Sequence, residues 1–489
     1  MVLDNPKQEW NKRIPEVAKL VPKLSKLKVL SAFNSNIDFI KAVNPEQITD
    51  LIATKDEKEI EFIKDKSEYL DIKKASGEKE FLSALAHCMR YGKAGRIVGS
   101  NQLFSWLDSF FGKPDEKALG GQAALMASQL KQLGANTSIY LSALSQDQAK
   151  LLDQTLQVPI AVKKKLAFKK PNQAADSKAL THYNWVFEFK RGETIEVGGE
   201  KIVANRDNRL IVAHETTAKP LFSKELESLL PALGKQVDLA LLSGYHAIHE
   251  KYPDKTTFKD VCKQAAFEIK SLKKNPNLVI HVEFVPVEDD EIEKTLLTTV
   301  VKEAHSLGLN ESELVEALNA LGLKKEALEL KKNECATTIY HGAVALFRKL
   351  GLRRVHVHNL GYSIVILEKS KNPFKTRDAV FLASVAASSK SIHGHLNAKD
   401  VEKFPELTIS EAGFNQLGVF ESSIWDAWEK KKRKPISSLL RKEFMANGIF
   451  TEKDHYAIIV PGPIASTTKT TVGLGDVLSG VAIAVETMA

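Results

Sequence analysis

The chain has 489 residues, 43% hydrophobic and 27% charged, with 69 Lys and Arg against 61 Asp and Glu and a formal charge of +8. That length admits more than one domain, and no uninterrupted apolar run reaches the length of a membrane span, so the composition is that of a globular protein and excludes a helical membrane protein. The positive excess is interleaved with acids and carries no aromatic-basic module, which argues against a nucleic-acid binder and suits a phosphorylated small substrate.

The first ten residues are polar and lack the apolar core of a secretory signal, so a cytoplasmic protein is expected. Cys88, Cys262 and Cys335 are widely separated and make no pairing or metal-ligand pattern; buried thiols are expected.

Residues 28–33, Lys-Val-Leu-Ser-Ala-Phe, read as a buried strand, and the polar turn Asn34-Ser-Asn-Ile-Asp38 follows directly. Residues 40–118, dense in Lys, Glu and Asp, interrupt the pattern. Ala118-Leu-Gly-Gly-Gln122 makes a tight turn, with helical periodicity near 119–133 and a strand over 136–144. Residues 180–214 contain alternating segments, 183–189 and 210–213, that suggest antiparallel strands. Strands over 237–243, 278–284, 354–358 and 456–460 then alternate with helices. The basic run 430–434, after Trp425 and Trp428, is expected to form a solvated helix end.

This rhythm predicts an α/β fold, a doubly wound, mainly parallel sheet with a smaller α+β lid domain. Residues 1–39, 119–179 and 215–489 are assigned to the large domain, and 40–118 and 180–214 to the inserted lid. In such sheets ligands gather at the carboxyl ends of strands, where the polar clusters fall.

The chemistry is sharpest in Gly473-Leu-Gly-Asp476, ahead of an apolar helical segment. Paired glycines let successive amides point at an anion at the helix start, and the dipole there favours an ionised carboxylate that can take a proton. Together these suit phosphoryl transfer to an alcohol; alone, they also describe a tight turn and a helix cap. No Gly-x-x-x-x-Gly-Lys-Ser/Thr loop and no protein-kinase glycine loop is present. Asn36 and Asp38 either hydrogen-bond vicinal hydroxyls or shape a turn. His281-Val-Glu283 closes a strand and Asn310-Glu-Ser-Glu313 opens a helix, where Asn310 is also a good cap; carboxylates at separate strand ends suit a hydrated Mg2+ ion.

With these clusters in this order, together with His182–Phe189, Asn205–Arg209 and Leu242–His246, the chain resembles the ADP-dependent sugar kinases of the ribokinase-like superfamily over nearly its whole length. The resemblance implies transfer of the β-phosphoryl group of ADP to a sugar hydroxyl, with Asp476 as base and the amides of Gly473, Leu474 and Gly475 around the moving group. It implies Mg2+ organised by Glu283, Asn310, Glu313 and Asp476, a sugar held by Asn36, Asp38, Gly121, Gln122 and His182, and nucleotide contacts at His358, Val460, Gly473 and Gly475. Family glucokinases carry a glutamate in the segment matching Gly92–Arg96, and none stands here, which favours fructose 6-phosphate. Arg191, Arg206 and Arg209 are then the expected phosphate partners. Arg96 departs from the phosphofructokinase pattern, so a glucokinase or a bifunctional enzyme stays open, with a non-catalytic binding homologue as the rival from another class.

Overall fold

Five of the six residues of Lys28–Phe33 are buried, as a strand covered on both faces requires. In the computed structural model it lies one strand in from an edge of a nine-stranded sheet. From that edge run Asn136–Leu141, Lys28–Phe33, Leu239–Leu242, Val279–Glu283, Ser306–Asn310 and Arg354–Asn359, all parallel. Tyr362–Glu368 then turns back antiparallel, because residues 360–361 are too short a connection for the crossover that a parallel neighbour demands. His455–Pro461 and Ile449–Thr451 complete the far edge, each antiparallel to its neighbour. The fold is α/β with a mainly parallel sheet, as the alternation of strand and helix predicts.

The description covers residues 5–488 except 69–71, 73, 215–217, 288, 360, 404–406, 433–435, 466–467 and 471. The basic run from Arg433 onward, position 215 and Thr467 and Thr471 of the terminal motif lie outside the described residues. Helix Glu411–Lys432 leads into that basic run.

A second sheet runs Lys74–Ala75, Gly95–Gly99, Asn208–His214, Tyr183–Phe189, Asn36–Ala42 and Glu116–Gly120. The chain thus passes between sheets at Ser35 and again at Gly121, rather than at 40 and 119. Gly121 sits at φ 88°, and a Cβ there would stand 2.6 Å from Ser35 Cα, so the two crossings touch and only glycine fits. Tyr183–Phe189 and Asn208–His214 pair antiparallel.

Alternation divides the small sheet into two faces. Trp185, Phe187 and Phe189 are buried against Phe81, Phe111 and Ile195 in a core of their own. Asp38 pairs in register with Asn184, and Arg96 with Ile211, on the opposite face, which looks toward the large sheet. Helix Leu474–Thr487 packs against helix Pro373–His393 beside the parallel strands. Cys88 and Cys262 are buried as expected, whereas Cys335 is only half-buried because it stands at the start of a helix. Among the described residues no helix is long and apolar enough to cross a membrane.

Candidate active site

The polar face of the small sheet and the carboxyl ends of the parallel strands enclose a cleft of about 520 Å³. Asn36, Asp38, Gly121, Gln122 and His182 all line it, together with Gly473 and Asp476. Asp38 accepts hydrogen bonds from Asn36 Nδ2 at 2.5 Å and Asn184 Nδ2 at 3.3 Å, while burial pushes its carboxyl up to about 6. Three lining residues each hold a buried polar atom without a partner among the described residues: Gln122 Oε1, His214 Nδ1 and His246 Nδ1. Such atoms cost free energy unless something bonds them, and the hydroxyls of a polyol can both donate and accept. Burial holds the His182 and His246 imidazoles below their ordinary pKa, so both are neutral at pH 7.

Across the cleft, helix Leu474–Thr487 begins at Gly473 in the left-handed region, φ 67°, and among the described residues no side chain caps it. Its first amides are therefore left for an anion. Asp476 lies in that first turn, where burial and the Glu283 carboxylate push it up to about 7 against the pull of Lys390 and His358. Beneath the turn sits a buried polar cluster. Burial alone would raise Glu283, but hydrogen bonds from His281 and His358 outweigh it and bring the carboxyl to about 2. Ser479 also donates to Glu283, and His281 Nδ1 meets Ser306 Oγ at 2.8 Å.

The four residues expected at a metal are not equivalent. Both Glu283 oxygens are taken by protein donors, and Asn310 caps a helix, its Oδ1 accepting from the Glu313 amide at 2.8 Å while its own amide donates to Glu313 at 2.7 Å. The cap reading of Asn310 thus describes its side chain. Among the described residues no three His, Cys, Asp or Glu side chains are grouped to hold an ion directly. Glu313, pushed up to about 8 by burial, and Asp476 retain carboxylate capacity, and this donor set fits a divalent cation only through its own water shell.

Other expected contacts lie elsewhere. Val460 is fully buried in the core and its backbone pairs with Ser363, so its side chain does not reach the cleft. His358 is committed to Glu283 under Gly475: a Cβ on Gly475 would stand 3.1 Å from its ring. None of the three arginines lines the cleft. Arg191 is exposed in a turn; Arg206 Nε donates to Gly92 O; Arg209 shares the face of Asp38 but lies across from Glu188, farther down the strand. The cations that do line the cleft are Lys74, on an edge strand of the small sheet, and Arg96, on the strand paired to it. Nothing local marked Lys74 or His214. Strand pairing brings them in from distant segments, although His214 follows the alternating run 210–213.

A doubly wound sheet, a glycine turn at a helix start beside a half-buried carboxylate, and a small sheet over the cleft define a ribokinase-like small-molecule kinase. The chain belongs to the ADP-specific phosphofructokinase/glucokinase family, whose conserved-region model matches residues 27–485. It is 31% identical to the ADP-specific phosphofructokinase of Methanosarcina acetivorans over 96% of each chain. It is also 27% identical to the ADP-dependent glucose/glucosamine kinase of Pyrococcus furiosus, again over 96% of each. A solved ADP-dependent kinase in complex with fructose-6-phosphate and ADPβS is similar at a TM-score of 0.84 and 31% identity, covering 100% of this chain and 99% of that one.

Proposed function

We propose that the protein is an ADP-dependent 6-phosphofructokinase, which converts fructose 6-phosphate and ADP to fructose 1,6-bisphosphate and AMP in glycolysis. The observation that carries the choice of sugar is the pair of cations, Lys74 and Arg96, on the cleft wall facing Asp476. A guanidinium and an ammonium there suit the 6-phosphate of a sugar whose other end meets the base. Among residues 92–96 no carboxylate stands to repel it.

In this reading the sugar lies between Asn36, Asp38, Gln122, His182, His214 and His246, and its hydrogen bonds to them aim its 1-hydroxyl at Asp476. The hydroxyl oxygen attacks the β-phosphorus, its proton passes to an Asp476 carboxylate oxygen, and the bond from the β-phosphorus to the bridging oxygen breaks, with AMP carrying away the electron pair. Amides of Gly473, Leu474 and Gly475 stabilise charge on the moving group without needing to rearrange. Glu313 and Asp476 would hold a divalent cation such as Mg2+ through water; when bound, it neutralises phosphate charge. Glu283 and Asn310 act one step back, fixing the turn and the helix start.

The small sheet with its helices serves as the lid, closing over the sugar and excluding water that would hydrolyse ADP. Both substrates are charged phosphate esters that do not cross membranes unaided, which places this enzyme in the cytoplasm within the same reading. The test is a steady-state comparison of fructose 6-phosphate with glucose as acceptor, with ADP as donor. A higher kcat/KM for fructose 6-phosphate is expected, and preference for glucose would assign the cleft to a glucokinase.

A further inference from the structure

Helix Pro373–His393 carries one lysine on its buried side, Lys390, in the run Ala387-Ser-Ser-Lys390. Only 8% of it is exposed. An ammonium has three donors and needs acceptors when removed from water. Among the described residues Lys390 Nζ has one hydrogen-bond acceptor, Gly473 O, and that is distant at 3.5 Å. The Asp476 carboxylate is the charge that faces it, and it opposes the lowering of the lysine pKa by burial.

The space around Nζ is defined by the missing side chain of Gly473. A Cβ on Gly473 would stand 2.9 Å from Lys390 Nζ, 3.3 Å from Asp476 Oδ2 and 3.1 Å from Leu125 Cδ1. Gly473 therefore leaves a small cradle with an ammonium on one side, a carboxylate on another and the uncapped helix start beside it. The cradle is held firmly. Gln129 Nε2 donates to Gly473 O at 3.2 Å, and the Lys469 amide donates to Ser391 O at 2.8 Å, tying the preceding loop to the lysine's own helix. A buried ammonium with donors unspent, at the mouth of an amide-lined anion pocket, is placed to meet a phosphate oxygen.

We propose that Lys390 is a further catalytic residue, whose ammonium binds the β-phosphoryl group of the nucleotide at the Gly473 turn and follows it during transfer. The inference rests on the phosphotransfer reading given above. Its chemistry is charge-assisted hydrogen bonding to a terminal phosphoryl oxygen, so the contact exists for a nucleoside diphosphate and is missing for the monophosphate product. A lysine that only paired with Asp476 would treat the two nucleotides alike.

The experiment titrates ADP and AMP calorimetrically into the full-length protein and into Lys390→Met, which keeps the length and approximate volume of the side chain but removes the charge. The expected result is ADP binding weakened by about 10- to 150-fold with AMP binding within about threefold, and partial recovery of ADP affinity in Lys390→Arg. Thermal melts establish that each variant is folded; if the Met variant is not, Lys390→Gln is read in the same pair of titrations. Equal losses for ADP and AMP, or no loss for either, would overturn the role of Lys390 while leaving the kinase reading in place. Failure of the unaltered protein to bind ADP would overturn both.

Discussion

On the large-sheet wall of the cleft, Asp476 stands half-buried in the first turn of a helix, over Glu283 and His358, which are buried at strand ends and hydrogen-bonded to each other under a glycine turn. On the small-sheet wall, Lys74 and Arg96 are exposed side chains on an edge strand and on the strand paired to it. The first wall is preorganised, which is what stabilising a transition state demands. The second is solvated and adaptable, which suits admitting and releasing a charged sugar. Changes to the first wall should therefore cost turnover or folding, and changes to the second should cost sugar affinity.

The largest effect is expected for Asp476→Asn, which keeps the shape but removes the proton acceptor: turnover should fall by about 10²- to 10⁴-fold with ADP and sugar binding within about tenfold. Stopped-turnover kinetics beside equilibrium titration measure both, and near-normal turnover would remove Asp476 from the base role. The same carboxyl gives a pH dependence. Because its pKa is raised to about 7 and the base must be ionised, kcat should fall as pH drops below about 7, and that acid limb should vanish from the residual rate of the Asn variant.

Next in size is Gly308→Ala. A Cβ at Gly308 would stand 2.2 Å from Glu283 Oε2 and 2.3 Å from Ser479 Oγ, inside the buried cluster. The neighbours cannot yield without breaking hydrogen bonds, so a loss of about 1–3 kcal/mol in stability is expected from denaturant unfolding. An unchanged midpoint would mean the cluster is softer than its bonding implies.

A smaller effect is expected on the other wall. Lys74→Ala and Arg96→Ala should each raise the KM for fructose 6-phosphate by about tenfold, the low end for a charge-assisted bond because both groups are exposed. Their kcat should change by less than about threefold. Equal losses in kcat would show that the two walls are not separable in this way. Smallest of all, Arg191→Ala should leave both constants within about twofold, since its side chain lies in a turn outside the cleft.

These same two walls explain what could be read without a structure. The strand Lys28–Phe33 is a continuous apolar run because both its faces are covered, and Gly473–Asp476 announces itself because the turn, the amides and the carboxylate are contiguous in the chain. Asn36, Asp38, Gly121 and Gln122 were legible for the same reason: each belongs to a short polar or glycine turn at a strand end. The pairing of Lys74 with Arg96 on the cleft wall was not. Arginines at 191, 206 and 209 sit in a segment of suitable charge, but strand register sends them to a turn, to Gly92 and to the Glu188 end of the sheet. Val460 and Asn310 show the converse: a backbone ladder accounts for the first and a helix cap for the second, and only the cap is visible from residue type. Lys390 is a lysine at a buried position of a helix rich in alanine and serine, a local signal that acquires meaning only when Gly473 is seen beside it.

On the proposed function, this cleft takes ADP and a phosphorylated sugar. One coupled assay tests it most directly, crossing ADP and ATP as donors with fructose 6-phosphate and glucose as acceptors and reporting kcat/KM for each pair. ADP with fructose 6-phosphate is expected to be the most efficient pair, with AMP appearing in step with the sugar bisphosphate. Efficient turnover with ATP, or a higher kcat/KM for glucose than for fructose 6-phosphate, would contradict it.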